Sequence, residues 1–347
     1  MHKARAQIPG FRVRGVSSVS WWARKTPPLP GLRGLLLLVG QGAGILSRAD
    51  PRNNLRMPEL PDLRILSEAF TAALGRRPLL RTRVKQPLVL RGTTSELAGL
   101  EGAVLDSVEQ RGKFLILHLA SGRIVINAML TGRLGLAVPG SKAFAQTAVT
   151  FEFGSRHGKP SGRHTAAWTR KGAWLPTADA PVELRYRDPR KMGKVYVLPE
   201  GVERPVAGWD ELGPDVDDDA LDLDTWQRRI KRHPGELQSL LKNQAFIAGI
   251  GNGYSDEVLW EARLAPFRKR SSLAPEESER LWRASREVMA WAISELRERV
   301  PPTFEKEVRG YLRVHRKGGE PCPRCGATLS EVSPGGFVTS WCRTCQQ

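Results

Sequence analysis

Apolar and polar positions divide the chain into stretches of different period. From Asp62 to Leu74 the residues Leu63, Leu66, Phe70, Ala73 and Leu74 fall on one helical face, and Gly75 offers a stop. Strand-like runs follow over Leu79–Val89, Ala103–Val108, Phe114–Leu119, Ile124–Leu130, Ala148–Phe153, Val182–Tyr186 and Val195–Leu198, several separated by glycine-containing turns. Their succession predicts an antiparallel β-sandwich. The Gly/His/Arg/Pro-rich stretch between Gly154 and Pro181 predicts a hairpin extension or a mobile loop. The pattern then turns helical over Ala220–Arg232, Glu236–Lys242, Tyr254–Arg263 and Ser272–Glu298, the last opened by a Ser-Leu-Ala-Pro-Glu-Glu start signal. The last 35 residues are rich in Gly, Pro and Cys. The expected fold class is therefore α+β and multidomain.

Composition narrows the partners. The net charge is +18 and the pI about 10.3, which suits a polyanionic partner. Half of that charge lies in residues 1–56, where ten Lys and Arg face one acid, Asp50, leaving +9 for 57–347. This leader has no sustained periodicity. It reads as a transit-like or signal-like segment, a disordered basic tail, or upstream sequence translated from a misplaced start, and the third reading is favoured because Met57 stands directly before the motif discussed below. The longest apolar run, Leu35–Gly40, is too short to span a bilayer. Between Asp210 and Asp224 lie eight carboxylates. They read as a solvated linker running into a helix N-terminus, where acids suit the dipole, in preference to a metal site.

Four local patterns carry candidate chemistry. All four cysteines lie in the last 26 residues, as Cys322-Pro-Arg-Cys325, sixteen intervening residues, and Cys342-Arg-Thr-Cys345. That spacing suits four thiolates around one structural Zn²⁺, with disulfides or free thiols as the alternative. In Gln244–Glu257 the turn around Gly249 and Gly251 precedes a helix. Its first N–H groups and Asn252 offer an anion site, and a plain helix–turn–helix corner is the alternative. Lys113, in Gln110-Arg-Gly-Lys-Phe-Leu115, opens an apolar strand. Arg187-Asp-Pro-Arg-Lys-Met-Gly193 clusters cations suited to phosphates. A fifth stretch, Met57-Pro-Glu-Leu-Pro-Asp62, matters only if Met57 is removed. Pro58 would then carry a free amine, partly neutral and nucleophilic at physiological pH.

Together, and in this order along 57–347, these patterns resemble the formamidopyrimidine-DNA glycosylase/endonuclease VIII family of bifunctional DNA glycosylases. The resemblance implies an N-terminal antiparallel β-sandwich with flanking helices (57–208), an acidic linker (209–225), a helix–two-turns–helix domain (226–310) and a four-cysteine zinc-finger hairpin (311–347), behind a leader (1–56). It implies a monomeric base-excision-repair enzyme of the bacterial cytoplasm, acting on damaged double-stranded DNA with no membrane role. Pro58 would attack the sugar as a Schiff-base nucleophile, Glu59 would move protons, and Lys113 would contact DNA at the lesion. Leu130, Arg190 and Met192 would fill the gap left by an extruded nucleotide, and Lys191, Asn252, Gly249 and Gly251 would meet the DNA. Cys322, Cys325, Cys342 and Cys345 would bind Zn²⁺.

The chain also departs from the family pattern. Asp62 is the second acid of the N-terminal motif, Leu130 stands for a frequent methionine, and Met192 replaces an aromatic. Gln238 stands where a lysine is common. Phe337, beside Gly335-Gly336, stands where an arginine reaches the DNA backbone, and Arg324 or Arg343 are possible substitutes. The stretch from Val300 to His315 is short for the loop that caps 8-oxoguanine in some members, so the resemblance does not imply that lesion. A non-catalytic binder of damaged DNA is the competing reading.

Overall fold

The computed structural model describes residues 57–160, 168, 174–333 and 336–347. The leader and much of the 154–181 stretch lie outside them. Helix α1 (Leu60–Leu74) is followed by β1 (Leu79–Val84), β2 (Leu90–Arg91), the short α2 (Thr94–Ala98), β3 (Leu105–Arg111), β4 (Phe114–Leu119), β5 (Gly122–Asn127), β6 (Arg133–Ala137), β7 (Thr147–Phe153), β8 (Val182–Arg187) and β9 (Lys194–Pro199). Helices α3 (Leu223–Ile230), α4 (Leu237–Lys242), α5 (Asn252–Glu261) and α6 (Pro275–Arg299) come next. A hairpin of β10 (Ser330–Val332) and β11 (Thr339–Trp341) closes the sequence of elements.

Two sheets form the sandwich, with strand orders β1-β7-β8-β6 and β2-β9-β5-β4-β3. All neighbours are antiparallel except β2 and β9, which pair parallel over two residues. One core runs between the sheets and under α1, through Leu63, Phe70, Leu117, Phe151 and Leu184. A second core joins the helices through Trp226, Leu240, Phe246, Tyr254 and Met289, and Leu60 belongs to it. Successive turns of α1 thus serve different cores, and residues 57–59 emerge at the seam between them.

Several elements differ from the pattern-based expectation for physical reasons. Helix α1 is buried nearly all round, because β3 covers one side and α6 the other. Its single buried acid of the middle turns, Glu68, is paired with Arg297 at 2.9 Å. The first strand stops at Val84, ahead of Pro87, which has no N–H for a ladder. Helix α2 is fixed by a Thr93/Glu96 capping box and not by apolar period. Strand β6 has only five residues, and a side chain at its Gly135 would run into Glu305. In the 154–181 stretch the described Trp168 is buried in the sandwich core beside Trp174, while most of the expected hairpin extension or mobile loop lies outside the described residues.

Arg77 ties the ends of that stretch to the fold. The side chain is 0% exposed and donates to the carbonyls of Ala73 (2.9 Å), Gly154 (2.8 Å), Thr177 (2.7 Å) and Ala180 (2.7 Å). Truncation strands several buried acceptors at once. Arg77→Ala should therefore lower unfolding stability by about 3 kcal/mol, read as a shifted urea midpoint at constant slope. A shift below the resolution of the measurement would show that those carbonyls find other donors.

Candidate active site

The seam opens into a cleft of about 690 Å³ whose walls include Met57, Glu59, Lys113, Leu130, Lys242, Asn252, Arg309 and Phe337. At its floor the Glu59 carboxylate accepts the backbone N–H groups of Gly251 (2.5 Å), Gly253 (2.8 Å) and Tyr254 (3.3 Å). These amides belong to the start of α5, so the helix dipole faces a carboxylate of the chain itself. Three amides of this helix N-terminus are thus taken by Glu59, while Asn252, the side chain of the expected anion site, borders the cleft. The glycines make that approach possible. A Cβ on Gly251 would stand 2.6 Å from Glu59 Cδ, and one on Gly249, at φ +101°, would stand 2.6 Å from Leu60 Cβ. Gly251 borders the cleft. Gly249 abuts Leu60 and accepts its amide at 2.9 Å.

Asp62 strengthens the same corner. It receives the Glu59 amide at 2.8 Å and the Arg309 guanidinium through both oxygens, at 2.8 and 2.5 Å. Arg309 also donates to the Tyr254 hydroxyl at 2.9 Å and lies over its ring at 4.9 Å. Burial disfavours the Arg309 charge, but Asp62 and the neighbouring Tyr254 and Glu307 outweigh it and raise its pKa. No spacing rule points to Arg309, which pairs across 247 residues. It lies in the short 300–315 segment, which Phe304 pins to Phe70.

Lys113 reaches the cleft from the β3–β4 turn, where Gly112 has φ +55°. The turn is clamped by Asp215, which accepts from Gly112 N (2.8 Å), Arg111 (2.9 Å) and Gln110 (2.9 Å). The acidic run is thus only partly a solvated linker. Asp222 caps α3 as expected, accepting from Thr225 N at 2.7 Å, but Asp215 is 7% exposed and holds the lysine turn. Lys242 was not singled out by its sequence, yet it enters the cleft from the last turn of α4 and lies 3.4 Å from Asn252 Oδ1. Burial pushes the Lys113 amine below the ordinary lysine value; Glu59 opposes the shift and Lys242 adds to it. Burial lowers Lys242 likewise, with Asp256 and Glu59 opposing.

Pro58 is buried behind the cleft wall against Gly132, Phe304 and Val308, and its peptide partner Met57 projects into the cleft. Leu130 lines the cleft from the β5–β6 turn. Arg190 and Lys191 are exposed and Met192 half-buried on the β8–β9 turn. The buried Asp188 couples these two turns: its carboxylate takes the Thr131 hydroxyl, the Arg190 amide (3.3 Å) and the Gly193 amide (2.7 Å). The structure places Leu130 in the cleft and brings the Arg190 turn beside it, outside the lining.

The four cysteine sulfurs lie within 4.8 Å of one another, with Cys325 and Cys342 at 3.5 Å and Cys322 and Cys345 at 3.9 Å. Tetrahedral Zn–S bonds of ~2.3 Å put sulfurs ~3.8 Å apart, whereas a disulfide needs ~2.05 Å. The donor set fits a four-coordinate metal, and Trp260 Nε1 donates to Cys322 Sγ at 3.4 Å as outer support. The hairpin is docked on the helices. Gln238 Nε2 donates to Asp256 (2.9 Å) and Thr339 (2.7 Å), Ser340 N donates to Asp256 at 2.9 Å, and Asn252 Nδ2 donates to the Val338 carbonyl. Gln238 is consequently buried, away from the cleft.

A β-sandwich joined to a helical turn element and a four-cysteine hairpin, with a carboxylate clamped at their seam, defines a class. The chain matches the formamidopyrimidine-DNA glycosylase N-terminal domain over residues 57–195, the H2TH domain of the same enzymes over 212–300, and the zinc finger found in FPG and IleRS over 319–347. It is 30% identical to a formamidopyrimidine-DNA glycosylase of Symbiobacterium thermophilum over 84% of this chain and 89% of that protein. A Thermus thermophilus relative of the same name is also 30% identical, over 84% and 98%. The crystal structure of MutM (Fpg) from Thermus thermophilus superposes with a TM-score of 0.66 at 28% identity, covering 83% of this chain and 98% of that one. The chain belongs to the formamidopyrimidine-DNA glycosylase family. Among the described residues no helix is long and apolar enough to cross a membrane.

The electrostatics of the cleft predict a titration. Both Lys113 and Lys242 should lose their protons at a lower pH than free lysine, followed by ¹³C NMR of their ε-carbons. Removing the like charge with Lys242→Met should raise the Lys113 midpoint, and Glu59→Gln should lower it further. An ordinary midpoint for Lys113, unmoved by either change, would contradict the geometry.

Proposed function

We propose that the protein is a bifunctional DNA glycosylase and abasic-site lyase whose nucleophile is the α-amine of Pro58, exposed when the chain begins there. The single observation that carries this reading is the placement of Met57: the residue whose removal frees Pro58 projects into the same cleft as Glu59 and Lys113. The family model matches from residue 57 onward, which supports that start. The domain divisions drawn from the sequence, at 57–208, 226–310 and 311–347, belong to this proposal.

Damaged duplex DNA is bent and one nucleotide turned out into the cleft. Leu130 enters the vacated space, with Arg190 and Met192 beside it and Lys191 on a phosphate. Lys113 and Lys242 neutralise backbone charge near the reacting sugar. The Pro58 nitrogen lone pair forms a bond to C1′ as the C1′–N bond to the base breaks and the base leaves with a proton. Ring opening gives an iminium. Glu59, held by three amides at a fixed position, moves protons at the sugar. The iminium acidifies the C2′ hydrogen. Loss of that proton expels the 3′-phosphate, and a second elimination releases the 5′ side. Cys322, Cys325, Cys342 and Cys345 would hold one Zn²⁺, which would stiffen the hairpin as a structural ion. A monomer at the bacterial nucleoid completes the proposal.

A second reading has its own observation. With Met57 attached, Pro58 nitrogen is an amide and the cleft is partly filled, which describes a binder of damaged DNA without covalent chemistry.

Borohydride trapping separates the two. Protein beginning at Pro58 should be captured covalently on abasic DNA, whereas the same protein with its Pro58 nitrogen acetylated should bind the DNA without capture. Undiminished capture by the acetylated protein would refute the mechanism. Native protein should also contain one zinc per chain by elemental analysis, and chelation should weaken DNA binding while the sandwich stays folded. Full DNA affinity in a metal-free protein would remove the hairpin's assigned part.

A further inference from the structure

Phe337 is the anomaly of the cleft. It is 55% exposed and belongs to the lining, which also includes the cations Lys113, Lys242 and Arg316. Among the described residues no ring or cation contact of Phe337 is recorded. An unpartnered aromatic of that size normally turns inward or is covered. Here the residues after it are held by hydrogen bonds. Val338 is buried with its carbonyl on Asn252, Thr339 accepts from Gln238, and Ser340 donates to Asp256. The ring borders the cleft just ahead of the docked strand β11.

We infer that Phe337 is a stacking platform for the base of the extruded nucleotide, and that it makes this site select for ring planarity. The inference rests on the glycosylase reading and specifies its substrate class. The chemistry of the wall supports it. Asn252, which bonds this loop, has its amide committed to Val338 and its oxygen to Lys242. That amide edge is thus spent inside the protein, while the aromatic face is exposed. An aromatic face accepts any flat base, since every nucleobase has a π-surface, and it discriminates against saturated, puckered rings. The cleft volume of about 690 Å³ lies in the range of small-molecule sites. The cations supply phosphate attraction, so removal of the ring leaves that component in place.

The test uses the full-length protein beginning at Pro58, zinc-loaded, under single-turnover conditions. Three duplexes carry a planar oxidised base (5-hydroxycytosine), a saturated base (dihydrouracil) or an abasic site. Phe337→Ala should slow excision of the planar base about tenfold, while dihydrouracil excision and abasic-site trapping should each fall by under about threefold. Phe337→Trp should keep the planar-base rate. Equal losses on all three substrates, or no loss on the planar base, would overturn the inference. A second readout separates it from the parent reading. Binding of single-stranded DNA containing 2-aminopurine should quench its fluorescence in the unsubstituted protein and not in Phe337→Ala. If that protein traps no abasic DNA, the glycosylase reading falls, and the ring-dependent quench alone decides whether the platform stands.

Discussion

Everything in this molecule that bears on chemistry depends on one carboxylate meeting one helix. Glu59 places its two oxygens on the first amides of α5, and by doing so it joins a chain segment rooted in the sandwich to the opening turn of the helical core. The arrangement satisfies donors that a helix start otherwise leaves to water or ligand. It also fixes residues 57–59 against the cleft, with Asp62 and Arg309 as a second tie a turn away. Two glycines permit the contact by removing the Cβ atoms that would block it. A carboxylate held this way has little freedom to wander, as the proposed proton transfer at a sugar requires.

Two of the departures from the family's usual residues meet at the hairpin. Gln238 turns inward and bonds Thr339, two residues past Phe337. Lys242, one turn further along α4, and Phe337 both line the cleft.

Much of this was legible in the sequence, and the limits have physical causes. The metal site, the glycine turn and the main strands follow from local spacing, because each is built by residues close in sequence. The buried part of the acidic run was not legible. A carboxylate in a polar stretch looks solvated until Gln110 and Gly112 are seen to bond Asp215 across more than 100 residues. Arg309 and Arg77 were invisible for the same reason, since their partners are distant or are backbone carbonyls without sequence identity. The glycine turn ahead of α5 marks a place for negative charge, but no local rule reveals that an acid 192 positions earlier reaches its amides.

The cleft also holds two amines, Lys113 and Lys242, which burial pushes below the ordinary lysine value, so the proposed Pro58 nucleophile has rivals for the bond. The decisive measurement is therefore the position of the bond itself. Mass-spectrometric sequencing of the reduced protein–DNA adduct should find the sugar remnant on the Pro58 nitrogen, at the first residue of the mature chain. A remnant on the Nζ of Lys113 or Lys242, with Pro58 unmodified, would contradict the account.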